Sequence, residues 1–433
     1  MKAKVNTLLP GPKSEKIIKK LQQLNGAWDF PYPFVHSREG SGCYTKDLDG
    51  NIFLDWASQV ASLPLGYNHP DILAAIKQYA TKSPIKYAGQ DFVVQEHVEL
   101  LEELLSITPK ELNAAFFVNS GAEAVENAMK ICMRQRPQAK VGVSFESAFH
   151  GRTLGALSCT NSKIVHKKHF FSLPIKRLPF NDAAGEILQK ITAHEAAPEE
   201  IAFIILEHIQ GEGGYRVASK KMIKDIYARA QQLNIPIIAD EVQSGIGRTG
   251  KWWAFEHFGV RPTVISAAKA LQVGAAIANK NFFPKELGSI SSTWGGGHIL
   301  DLAIGAQTIR SIKKLKLLDN AAKQGEYLRT RLQELSKTCQ QIENIRGLGL
   351  MCAFDCPTKN MRDNIIIGAL QNGLILLGCG ERGIRMVPPL IIKKEEIDEG
   401  VEILKKTLQT CSGKNFKHTG KICAFVDCGG NVT

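Results

Sequence analysis

The stretch IPIIADEVQSGIGRTG (residues 235–250), followed along the chain by VISAAKALQVG (residues 264–274), decides the fold. IPIIA and PTVISAA (residues 262–268) are too short for buried helices and too apolar for solvated loops, so both read as buried parallel strands. An ionisable residue stands just past each, Asp240 after the first and Lys269 after the second. Open α/β sheets bind ligands beyond the carboxyl ends of their strands, so a carboxylate and an amine at adjacent strand ends point into one crevice. Two surface-loop charges would look the same in isolation. Pyridoxal phosphate needs that pair: a lysine for its Schiff base and an aspartate against its pyridinium nitrogen.

Working outward, strand-like runs alternate with helical patterns: AAFFVNS (114–120), KVGVSFES (140–147), IAFIILEH (201–208), then the two runs above. Between IAFIILEH and IPIIADE lies KKMIKDIYARAQQLN (220–234), an amphipathic segment of helix length. The alternation predicts βαβ crossovers and a mostly parallel sheet flanked by helices, in a large domain placed at residues 61–305. GCYTKDLDGNIFLDWAS (42–58) reads as a hairpin turning at Asp49-Gly50. Residues 1–60 and 306–410 are expected to build a second, smaller α+β domain from both chain ends, and 411–433 a loosely held tail.

At 433 residues and 44% hydrophobic composition, the chain can bury a large core. It has no apolar stretch of about 18 residues and no signal-like N-terminus in MKAKVNTLLPGPKSEKIIKK (1–20), which predicts a cytoplasmic protein with no membrane contact. Ten cysteines lack metal-ligand spacing; Cys423 and Cys428 have no matching second pair, so inert thiols and no metal are expected. The net charge of +12 is dispersed and interleaved with acidic residues, as in IKKLKLLDNAAKQGEYLRTRLQEL (312–335), which argues against nucleic acid. A basic active site drawing dicarboxylates accounts for part of the surplus.

Further motifs carry chemistry. VNSGAEAVENAMK (118–130) follows a strand and opens a helix. Ser120 and Glu123 fit a capping box, and Gly121 lets backbone approach a ligand. Such an N-terminus suits a phosphate, although an ordinary capped helix has the same pattern. In SAFHGRTLGALS (147–158), Phe149 can lie on a planar ring beside His150, and Arg152 offers a fork for a carboxylate; a core Phe and a surface Arg are the plain alternative. LEHIQGEGGYR (206–216) puts Glu207, Gln210 and Glu212 on a loop beyond a strongly apolar strand. Gln243 could reach a phenolic oxygen of the cofactor, and Thr293 in SSTWGGGH (291–298) offers a hydroxyl for phosphate. Arg385 in GIRMVPPL (383–390) is stiffened by two prolines, or is a structural ion-pair partner.

The ordered set NSGAEAVENAMK, FHGRT, EHIQGEGG, ADEVQSGIGRTG, AAKAL, STWGG and IRMVPPL resembles the class III (subgroup II) aminotransferases, fold-type I pyridoxal-phosphate enzymes, from about residue 8 to about 408. The resemblance implies that Lys269 is the Schiff-base lysine and Asp240 the pyridinium partner. It implies that Gly121 and Ala122 cradle the phosphate, Phe149 stacks on the ring, and Gln243 meets the phenolic oxygen. Thr293 is similar to the residue that reaches the neighbouring subunit's phosphate, which implies a homodimer with shared sites. Arg152 resembles the substrate-carboxylate clamp, and Glu212 with Arg385 the ion pair that opens and closes between two substrates. Gly297, His298 and Thr263 depart from the family pattern.

The implied activity is ping-pong transfer of an ω-amino group to a 2-oxo acid such as 2-oxoglutarate. LPGPKS (9–14), FHGRT and LGCGERGIRMVPPL (377–390) look like 4-aminobutyrate aminotransferases, whereas STWGG and GLGLMCAFDCPT (347–358) look like L-lysine 6-aminotransferases. The expected donor is 4-aminobutyrate. Lysine or ornithine transamination, and an amino-acid racemase on the same scaffold, are the alternatives.

Overall fold

A computed structural model describes residues 1–26, 32–79, 92–291, 296 and 298–411. The chain divides into two compact units, Pro70–Leu318, and Met1–His69 together with the chain from Asp319 onward.

The first unit is built on a seven-stranded sheet. Its strands in chain order are β1 (Ala114–Val118), β2 (Val141–Phe145), β3 (Ile175–Leu178), β4 (Ile201–Leu206), β5 (Ile237–Asp240), β6 (Val264–Ala267) and β7 (Gly274–Ala278). They lie side by side as β1-β7-β6-β5-β4-β2-β3. The pairs from β6 through β5, β4 and β2 to β3 are all parallel, and β7 alone runs against its neighbours β6 and β1. The mostly parallel sheet expected from the alternating runs is present.

Helices on both faces explain why β4 reads as an unbroken apolar run. Phe203 and Ile205 pack with Val125, Met129 and Cys132 of the Gly121–Gln135 helix. Ile204 and Leu206 join the opposite cluster, with Met222, Ile223 and Ile226 of the Lys220–Gln232 helix. Each such side chain contributes about 1.5–3 kcal/mol by leaving water. This packing fixes the carboxyl ends of β1, β2, β4, β5 and β6 along one edge of the sheet.

In the second unit, Tyr44–Asp47 and Ile52–Asp55 pair antiparallel across the expected turn, with Gly50 at φ +86°. Asp47 Oδ1 accepts from the N–H groups of Asp49 and Asn51, which closes the turn. The unit's other four-stranded sheet is antiparallel and carries Arg385 on the strand Gly383–Met386. The tail beyond Cys411 lies outside the described residues. Among those residues no helix is long and apolar enough to cross a membrane.

Candidate active site

The edge formed by those strand ends holds a cavity of about 300 Å³. It is lined by Gly121, Ala122, Phe149, His150, Arg152, Glu207, Glu212, Asp240, Gln243 and Lys269, among others. Register places Asp240 opposite Ser266 on β6, and Lys269 follows three residues later, just past the end of that strand. Residues far apart in sequence, from Gly121 to Lys269, thus meet because they stand at or just beyond the carboxyl ends of five strands of one sheet.

Asp240 is 5% exposed. Its Oδ2 lies 2.7 Å from His150 Nδ1, and its Oδ1 accepts from the Val242 N–H at 3.0 Å. A carboxylate so buried is stable only when its oxygens are matched by donors, and these contacts also fix its direction. Glu207 accepts from the Phe149 N–H at 3.0 Å and the Gly211 N–H at 2.8 Å, tying the ends of two loops together. Burial raises its pKa, against the opposing charge of His150 and with the repulsion of Asp240 added.

Lys269 has φ +42°, the left-handed region that residues with a Cβ rarely enter. Such strain at a cavity is held by the surrounding fold and fixes where the side chain starts. Gln243 is oriented from behind: its Oε1 accepts from the Tyr215 hydroxyl at 2.6 Å. At the other end, Gly121 and Ala122 open the helix, where the first N–H groups have no intrahelical acceptor. A Cβ on Gly121 would stand 2.8 Å from Val242 Cγ1, so only glycine fits there.

Ser120 does not line the cavity. Its hydroxyl accepts from the Glu123 N–H at 3.2 Å, and Glu123 accepts from the Asn119 N–H at 2.7 Å, so half of the expected capping box forms and Glu123 reaches one residue further back than the box requires. Thr293 lies outside the described residues. Arg385 is 1% exposed and belongs to the second unit. Of the departures from the family pattern, the Thr263 hydroxyl accepts from the Ile237 N–H at the start of β5, and His298 caps the Ile299–Lys314 helix.

Three residues of this region escape a reading of the sequence. Glu241, next to Asp240, is buried and accepts from the Ser244 hydroxyl and the N–H groups of Ala254 and Phe255. Burial pushes its pKa up to about 7 in spite of those donors. Tyr215 stands behind Gln243, and His166 behind Arg152 and Phe149.

The chain belongs to the class-III aminotransferase family, whose model it matches over residues 28–408. It is 36% identical to the acetylornithine aminotransferase of Archaeoglobus fulgidus over 84% of this chain and 93% of that protein. It is 32% identical to the human mitochondrial 4-aminobutyrate aminotransferase, over 90% and 87% of the two chains. A solved lysine aminotransferase from M. tuberculosis superposes with a TM-score of 0.85 at 26% identity, covering 92% of this chain and all of that one.

The chain is therefore an aminotransferase of fold-type I that depends on pyridoxal phosphate. The cavity's donors fit that cofactor. A buried, hydrogen-bonded carboxylate suits a protonated ring nitrogen, and an amine suits the aldehyde. A helix N-terminus held close by glycine suits a phosphate. The reaction class calls for an amino donor and a 2-oxo acid.

Proposed function

We propose that the chain moves the terminal amino group of an ω-amino carboxylic acid to 2-oxoglutarate, with 4-aminobutyrate as the donor. The observation that carries this reading is Arg152 in the same cavity as Lys269 and Asp240. A substrate lying between them offers its amine to Lys269 and its carboxylate to the guanidinium. N-acetylornithine is the second donor to weigh, because the Archaeoglobus relative bears the acetylornithine name at 36% identity.

Bound pyridoxal phosphate supplies the electron sink for the reaction. In this reading Lys269 would hold the cofactor through its amine and, when free, would act as general base toward the substrate carbon. Asp240, directed by His150, keeps the ring nitrogen protonated. The N–H groups of Gly121 and Ala122 would hold the phosphate, Phe149 would cover the ring, and the Gln243 amide would donate to the phenolic oxygen. Glu207 fixes the loops that carry Phe149 and Gly211. Arg385 is assigned to the α-carboxylate of the amino-acid half-reaction, with Glu212 setting which carboxylate is taken. Thr293 is assigned to the phosphate of a neighbouring subunit in a homodimer.

A half-reaction panel tests the reading. Single additions of 4-aminobutyrate, N-acetylornithine, lysine, ornithine and the enantiomers of neutral amino acids are followed by the cofactor's absorbance. Conversion to the aminated cofactor fastest with 4-aminobutyrate is expected, and faster conversion with N-acetylornithine would replace the donor. Inversion of a neutral amino acid without any amino transfer would replace the reading by a racemase.

A further inference from the structure

His166 stands behind two groups of the cavity. Its ring meets Phe149 edge to face, with centroids 5.9 Å apart and planes at 78°. Its Nε2 lies 3.2 Å from Arg152 Nη2. A guanidinium can only donate, so Nε2 accepts and the imidazole is neutral, with its proton on Nδ1. Burial first, then the charges of Arg152 and Lys163, lower the His166 pKa below the ordinary imidazole range, against the opposite pull of Glu212. The neutral form needed for the contact is therefore the form this environment favours.

The segment that presents His166 is itself held. Ile164–His166 is a single turn whose Ile164 carbonyl accepts from the N–H groups of Lys167 and Lys168 at 3.0 and 2.9 Å. The Lys167 ammonium reaches the Thr160 carbonyl at 3.4 Å, and the Ser158 hydroxyl accepts from the Leu173 N–H at 2.9 Å. Arg152, by contrast, is an exposed side chain with many rotamers open to it. A long cation binds a carboxylate well only when the cost of holding it still has already been met.

We propose that His166 is a positioning residue that orients the Arg152 guanidinium toward a substrate carboxylate while braced against the Phe149 ring. It thereby sets how strongly the site prefers a carboxylate-bearing amine over a plain amine. The proposal rests on the reading of Arg152 as the carboxylate clamp, and the experiment separates the two.

Pyridoxal-phosphate-loaded wild type, His166→Ala, His166→Gln and Arg152→Ala are compared. Calorimetry gives the Kd of butanoate, a carboxylate without an amine. Half-reaction kinetics give KM and kcat for 4-aminobutyrate and for 1-aminobutane, which has no carboxylate. In His166→Ala, the butanoate Kd and the 4-aminobutyrate KM should rise roughly tenfold, the scale of one lost hydrogen bond to a charged group. The 1-aminobutane half-reaction should change far less. His166→Gln, whose amide oxygen can accept from the guanidinium, should recover most of the loss. If Arg152→Ala weakens butanoate binding but His166→Ala does not, the positioning role is wrong and the clamp stands. If neither variant moves it, the clamp reading itself fails. Equal losses for both amines in His166→Ala, with no recovery in His166→Gln, would mean a structural histidine and overturn the proposal.

Discussion

At the scale of single residues, the site separates side chains that do chemistry from those that hold them. Lys269 spends backbone strain at φ +42° to stand at the cavity, so its loss should cost activity and not stability. Lys269→Ala is expected to abolish turnover while keeping the wild-type far-ultraviolet circular dichroism. Lys269→Gly, which relieves the left-handed backbone, should melt later than Lys269→Ala by an amount worth on the order of 1 kcal/mol. Equal melting temperatures for the two would show that the strain is absent. Asp240→Asn removes the charge that His150 and the Val242 N–H surround. Both half-reactions should slow by roughly 3 kcal/mol in barrier, the scale of breaking a buried charged pair; near wild-type stopped-flow rates would remove Asp240 from its role. Asp240 and Lys269 were legible in the sequence because each follows closely on an apolar run that could only be a strand. His166 was not, because KIVHKK has the composition of a solvated surface turn and its partners are brought to it only by the fold.

At the scale of elements, the five runs that read as strands are strands, and two strands of the sheet went unread. β7 is GAAIA, nearly without the β-branched residues that mark a strand, and it is identified only by its pairing with β6 and β1. β3 is the short, mixed IKRL at the sheet's edge. Glu241 shows the same limit: beside Asp240 it looks like a second loop charge, yet it fastens the end of β5 to the turn at Ala254–Phe258. Its folded pKa of about 7 lies above the ordinary value of 4.5. The folded state therefore binds more protons than the unfolded one between about pH 4.5 and 7, and stability falls as pH rises through that window. The carboxylate form costs on the order of 3 kcal/mol above it. Glu241→Gln should flatten the slope of melting temperature against pH across that range, relative to wild type. An unchanged slope would show that Glu241 titrates in the ordinary range.

At the scale of the whole molecule, the cofactor is expected to act as a structural ligand as well as a reagent. Pyridoxal phosphate at a hundred times its Kd should stabilise the folded chain by about 2.7 kcal/mol, through binding the native state alone. A melting temperature indifferent to the cofactor would mean that the cavity is not its site. Sedimentation should give twice the 47.6 kDa mass of the chain if Thr293 serves a neighbouring subunit. The central claim is narrower than either: this cavity holds the cofactor through one amine. Borohydride reduction of the cofactor-loaded protein, followed by proteolysis and mass spectrometry, tests it directly. A pyridoxyl group fixed on Lys269 is the expected result, and a group fixed on another lysine, with Lys269 unmodified, would contradict the account.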